Sequence, residues 1–216
     1  MNNQILKKRP IIISAWICAG KTYMTNKYDN VTELPSGDYK YILTEEQKAV
    51  KNKESLKSTI RAINPEWPKN YYDAILEEAK KGQYDIILIA PCMPFEEMRN
   101  YGIDFIMAYP EPSCKEDYMQ RARNRGANEE FVKRVETKID LDYEEFLKQP
   151  NEKIIIKPGE YLEDALIRVG ILKKWERVFK KISSLLNKIW WRKYFKVKSF
   201  FVSLEAIIGV RSKNSI

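Results

Sequence analysis

The chain has 216 residues, 44% hydrophobic and 31% charged, enough for one α/β domain with a sizeable core plus an extension. It has no histidine, which excludes a histidine-based triad and an imidazole metal site, so any metal would be a hard cation held by oxygens. Three cysteines without C-x-x-C spacing (Cys18, Cys92 and Cys114) argue against a disulfide framework and for a reducing cytosol.

The net charge of +8 is unevenly spread. Residues 1–170 hold 26 Lys+Arg against 28 Asp+Glu, a balance of −2, and residues 171–216 hold 12 against 2, a balance of +10. The basic character therefore belongs to the C-terminal segment and says nothing about nucleic acid binding by the rest. Met1–Pro10 is polar and basic and does not read as an export signal. No 18-residue apolar run occurs, so no transmembrane helix is expected and the expected location is the cytoplasm.

Ile11–Ser14 is an apolar, β-branched run that reads as a buried parallel strand. Ala15-Trp16-Ile17-Cys18-Ala19-Gly20-Lys21-Thr22 follows, and a helix is expected from about Thr22 through Tyr23–Tyr28. Strand, eight-residue turn and helix give the phosphate-binding pattern G-x-x-x-x-G-K-[ST], with Ala15 at the first glycine. Gly20 lets the backbone approach phosphates, Lys21 reaches the β- and γ-phosphates, and the Thr22 hydroxyl suits Mg²⁺. The competing reading is a chance helix start after a buried strand.

A short strand is expected near Asn30–Leu34, a turn at Pro35–Asp38 and an extended piece at Tyr39–Leu43. Thr44–Lys57 reads as a solvated helix or a mobile insertion. Asn64–Tyr72 is a proline-punctuated turn opening a helix that runs to Lys81 and stops at Gly82. Asp85–Ala90 reads as a central parallel strand, Phe95–Tyr101 as a helix and Asp104–Tyr109 as a buried strand. Helices are expected over Cys114–Arg125, interrupted at Gly126, and over Asn128–Lys148. A strand at Lys153–Ile156 and a helix at Tyr161–Val169 close the domain. Strands alternating with helices make a parallel sheet with crossovers.

Three segments together resemble the P-loop nucleotide kinases of bacteriophages, relatives of the nucleoside monophosphate kinases. The loop is similar to the family's A-F-P-G-x-G-K-[ST], with Cys18 where the family usually has glycine. Asn64-Pro65-Glu66-Trp67-Pro68-Lys69-Asn70-Tyr71 resembles N-P-[DE]-[FW]-P-x-N-Y. Tyr109-Pro110, Lys115-Glu116-Asp117-Tyr118, Arg121 and Arg125-Gly126 resemble the lid segment Y-P…K-E-x-Y-x-x-R…R-G. The likeness spans roughly residues 10–168.

The resemblance implies a three-layer P-loop kinase core using ATP and Mg²⁺ to phosphorylate a nucleotide acceptor, foremost a (deoxy)nucleoside monophosphate, in the host cytoplasm for a phage-encoded chain. Ala15 through Tyr23 then hold the donor, with Thr22 at the metal, and Lys21, Arg121 and Arg125 are the candidate catalytic residues. Arg121 and Arg125, four apart, share a helical face. Glu33, Asp38, Arg61, Asn64, Trp67, Asn70 and Tyr71 are the candidate acceptor residues, a carboxylate after the second strand orienting either the acceptor or a hydrated metal. Each has a structural alternative. Arg121, Arg123 and Arg125 also read as a solvated face, Arg61 as half of an ion pair, Trp67 and the tyrosines as core, and Glu33 as a surface residue. No acidic residue ends the Asp85–Ala90 strand, so a nucleotide-binding protein without turnover on the same fold stays open.

Residues 171–190 place Ile171, Leu172, Trp175, Val178, Phe179, Ile182, Leu185, Leu186, Ile189 and Trp190 at helical spacing opposite a lysine-rich face. The expected domains are thus 1–170 and a basic amphipathic helical extension, 171–216. Packing on the core or on a second subunit, an anionic membrane surface, and nucleic acid are the three partners this pattern admits. An effector working through this segment is a further reading.

Overall fold

The computed structural model describes residues 9–50, 60–91 and 94–172. The amphipathic helix expected from residue 171 therefore lies, apart from its first two positions, outside the described residues, as do Cys92 and the insertion over 51–59.

The triple isoleucine run forms β1, Ile11–Ala15, and Ile13 and Ala15 are fully buried. β1 pairs in parallel with β5 (Ile86–Ile89) on one side, Ile13 opposite Leu88, and with β6 (Ile106–Pro110) on the other, Ser14 opposite Met107. β2 (Val31–Leu34) adds outside β5, and β7 (Lys153–Ile156) outside β6. The result is a five-stranded parallel sheet in the order β2-β5-β1-β6-β7. β1 is the middle strand, and β5 beside it is paired in parallel on both sides, the central parallel place expected for Asp85–Ala90. A continuous apolar run marks a strand covered on both faces but does not say which neighbours it takes.

Helices make the crossovers. α1 (Lys21–Lys27) follows β1, and α5 (Phe95–Asn100) joins β5 to β6. α6 (Lys115–Asn124) and α7 (Glu129–Lys148) join β6 to β7, and α8 (Leu162–Arg168) follows β7. The long connection from β2 to β5 carries α2 (Gly37–Lys40), β3 (Tyr41–Ile42), α3 (Glu45–Lys48), β4 (Ala62–Ile63) and α4 (Lys69–Lys81). This is an α/β fold, a five-stranded parallel sheet with helical crossovers. β1 lies between one strand reached later on each side, so the crevice beyond its carboxyl end is the topological switch point where such sheets bind ligands.

The sequence reading needs correction mainly in the β2–β5 connection. Gly37 and Asp38, expected in a turn, open α2, and Tyr39 and Lys40, expected extended, complete it. The cause is tertiary. The Tyr39 ring packs 5.1 Å from Tyr71, and Asn70 Nδ2 donates to the Tyr39 carbonyl at 2.9 Å, tying this single turn to α4. The hairpin of β3 and β4 pairs Tyr41 with Ile63 and Ile42 with Ala62. Two-residue strands are too short to show a period, so β4 had no sequence signal. Elsewhere the stops are local. Gly82 ends α4 at φ 58°, and the Asn128 side chain caps α7 by accepting from Phe131 N at 2.9 Å.

Candidate functional site

The turn between β1 and α1 sits at the switch point. Gly20 has φ 99°, and Cys18, at φ 57°, is the only non-glycine with positive φ among the described residues. A side chain in this region costs about 1–3 kcal/mol, a strain that native structures keep mostly at functional sites. Cys18 thus holds, against its own preference, the left-handed shape a glycine would adopt freely. Three contacts support the turn from outside. Trp16 N donates to Ala108 O on β6 at 3.0 Å, Leu162 N donates to Ala19 O at 2.9 Å, and buried Trp16 donates through Nε1 to Asp142 on α7 at 3.1 Å.

The Lys21 ammonium folds back across the turn and donates to the carbonyls of Ala15 (2.9 Å) and Trp16 (3.0 Å). One position on, Thr22 Oγ1 donates to Glu33 Oε2 at 3.1 Å, joining the first turn of α1 to β2. Tyr23 is exposed and its hydroxyl accepts from Lys27 at 2.9 Å, while Ile17 is half-buried.

The two lid arginines do not share one environment. Arg121 is buried, pairs through Nε and Nη2 with both oxygens of Asp117, and donates from Nη2 to the Glu160 carbonyl at 3.0 Å. Its guanidinium stacks 3.8 Å over Tyr161 and 4.6 Å over Tyr118, and its buried Nη1 has no hydrogen-bond partner. Burial pushes the Tyr118 phenol far above its ordinary value, so it stays protonated. Arg125, the C-cap of α6, is exposed and reaches the turn, with Nη1 3.7 Å from Cys18 Sγ. Arg123 turns outward to Glu129 at 3.5 Å and Glu116 at 3.8 Å. The solvated-face reading therefore fails for buried Arg121, while Arg123 and Arg125 are both exposed.

The acceptor candidates fall into two groups. Tyr71 is fully buried, donates to Leu34 O at 2.7 Å and accepts from Ala90 N at 3.2 Å, so it locks the carboxyl ends of β2 and β5 together. Asn70 braces α2, and Asn64 Oδ1 accepts from Glu66 N at 3.0 Å to shape its own turn. Trp67 and Arg61 are half-buried and engage aromatic rings. The Trp67 ring stacks on Tyr71 at 5.5 Å, and the Arg61 guanidinium lies 3.7 Å over Tyr41 with its buried Nε unpartnered. Asp38 lies exposed in the first turn of α2.

Two further residues went unread in the sequence. Lys40 places its ammonium 5.6 Å over Tyr41, the ring that Arg61 also contacts, and 5.7 Å over Trp67. Tyr161 lays its ring against Gly20, where an added Cβ would meet Tyr161 Cδ1 at 3.2 Å. A lysine ending a four-residue helix and an aromatic N-cap carry no local signal; both are recognisable only by what lies across from them.

No family model matches the chain, and no curated protein matches it. Among solved structures, it is similar to the tunicamycin resistance protein of Deinococcus radiodurans, at 15% identity and a TM-score of 0.44, over 76% of this chain and 96% of that one.

Proposed function

We propose that this protein is an ATP- and Mg²⁺-dependent kinase that transfers a phosphoryl group to a nucleotide acceptor, foremost a (deoxy)nucleoside monophosphate. The observation that carries the reading is the turn itself, left-handed at Cys18 and Gly20, with the Lys21 ammonium held across it on two backbone carbonyls. Phosphoryl transfer asks a protein for position and charge neutralisation more than for covalent chemistry. Lys21 would exchange the Ala15 and Trp16 carbonyls for donor phosphates, and Thr22 would hold a metal ion, which would supply charge to offset that of the phosphates. Arg125 reaches the same turn from the lid. On the other side, Arg61 and Lys40 present positive charge over the Tyr41 and Trp67 rings. A phosphomonoester acceptor is largely ionised at pH 7, so a chain without histidine needs no general base for it.

The test is an ADP-release screen with ATP and Mg²⁺ against all ribo- and deoxynucleoside monophosphates, modified pyrimidines included. One acceptor should give turnover, and Lys21→Ala should abolish it. Turnover with none of them, alongside intact ATP binding, would instead support retention of a nucleotide without transfer. The engagement of Arg121 with Asp117 and the Glu160 carbonyl favours that second reading.

A further inference from the structure

In many P-loop enzymes an acidic residue after a neighbouring strand accompanies the loop hydroxyl at the metal. Here β5, the neighbour of β1, runs through Ile86–Ile89 into Ala90 and Pro91, and the next acidic residue in the chain is Glu96. The carboxylate that meets the Thr22 hydroxyl of the loop comes from one strand further out. Glu33 on β2, opposite Leu88 of β5, accepts from Thr22 Oγ1 at 3.1 Å.

We propose that Glu33 is the protein carboxylate of the magnesium site, orienting the Thr22 hydroxyl and accepting hydrogen bonds from metal-bound water. This rests on the ATP-binding reading of the loop. The direction of the observed hydrogen bond is the first argument. An ionised carboxylate only accepts, so the Thr22 proton points at Glu33 and the hydroxyl lone pairs are left for a metal. Charge is the second. No cation pairs with Glu33 among the described residues, and a bare carboxylate within reach of a triphosphate site repels the ligand unless a cation stands between them. Ligand type is the third. Thr22 is exposed and Glu33 half-buried, so both are open to ligand, and their donors are hard oxygens. That suits Mg²⁺, which keeps several waters and binds through one or two protein oxygens together with substrate phosphates.

The experiment measures ATP affinity calorimetrically with Mg²⁺ and with EDTA, in the full chain and in Glu33→Gln, and follows Mn²⁺ binding by electron paramagnetic resonance in the presence of ATP. The expected result is that Mg²⁺ tightens ATP binding by the wild type, and that Glu33→Gln loses about tenfold or more of that gain together with the bound-Mn²⁺ signal. Circular dichroism and melting confirm that the variant is folded. Glu33→Gln keeping the full Mg²⁺ gain overturns the assignment, as does a wild type that binds ATP with no metal gain; either leaves the loop reading standing. Lys21→Ala with undiminished ATP affinity in EDTA, or a wild type that binds no ATP in either buffer, overturns the loop reading and with it this one.

Discussion

Gly20 is the residue at which backbone and packing demands coincide. Its φ of 99° strains any side chain, and an added Cβ would meet the Tyr161 ring at 3.2 Å, a ring on which the Arg121 guanidinium also stacks at 3.8 Å. Gly20→Ala should therefore lower stability by about 1–3 kcal/mol, read as a lower melting temperature, and weaken ATP binding further, because Lys21 and Thr22 follow directly in α1. A melting curve and affinity equal to wild type would show that the turn relaxes at no cost. Cys18 makes the complementary point. The sequence shows a departure from glycine there, but only the backbone shows that the left-handed shape is kept in spite of it.

Among the elements, α4 ties the ends of β2 and β5 together chiefly through one hydroxyl. Tyr71 bridges Leu34 O and Ala90 N, groups at the ends of two adjacent strands. Tyr71→Phe keeps the ring on Trp67 and removes the bridge. It should cost about 0.5–1.5 kcal/mol by removing a part-buried hydrogen-bond bridge, measurable by denaturant unfolding; a smaller loss would mean that water replaces the hydroxyl. The elements that were legible in advance share a cause. Continuous apolar runs marked β1, β5 and β6, Gly82 marked the end of α4, and Asn128 marked the start of α7. The β2–β5 connection was not legible, because α2 and the β3–β4 hairpin hold their shape through Tyr71, Asn70 and each other rather than through local preference. The same limit applies to the lid. Spacing put Arg121 and Arg125 on one helical face, yet one is locked on Asp117 and the other caps the helix beside Cys18.

For the whole molecule the dominant property is charge asymmetry. A chain ending at residue 170 would carry −2 where the full chain carries +8, so at pH 7 it should move from cation- to anion-exchange retention. Salt-sensitive binding of the full chain to anionic vesicles or to DNA should be lost with the same truncation; the shortened chain retaining it would move that property to the sheet domain. This asymmetry, the phosphate-loop pattern and the alternation of strands with helices were determined by the sequence itself, because composition, motif spacing and apolar periodicity are local quantities. Strand order was decided by tertiary structure, which put β1 between β5 and β6. So were the meeting of Thr22 with Glu33, the stack of Arg121 on Tyr161, and the cations that Lys40 and Arg61 hold over Tyr41. These are contacts between separate elements. A hydrophobic pattern states which face of an element is buried, and only the packed fold states what it is buried against.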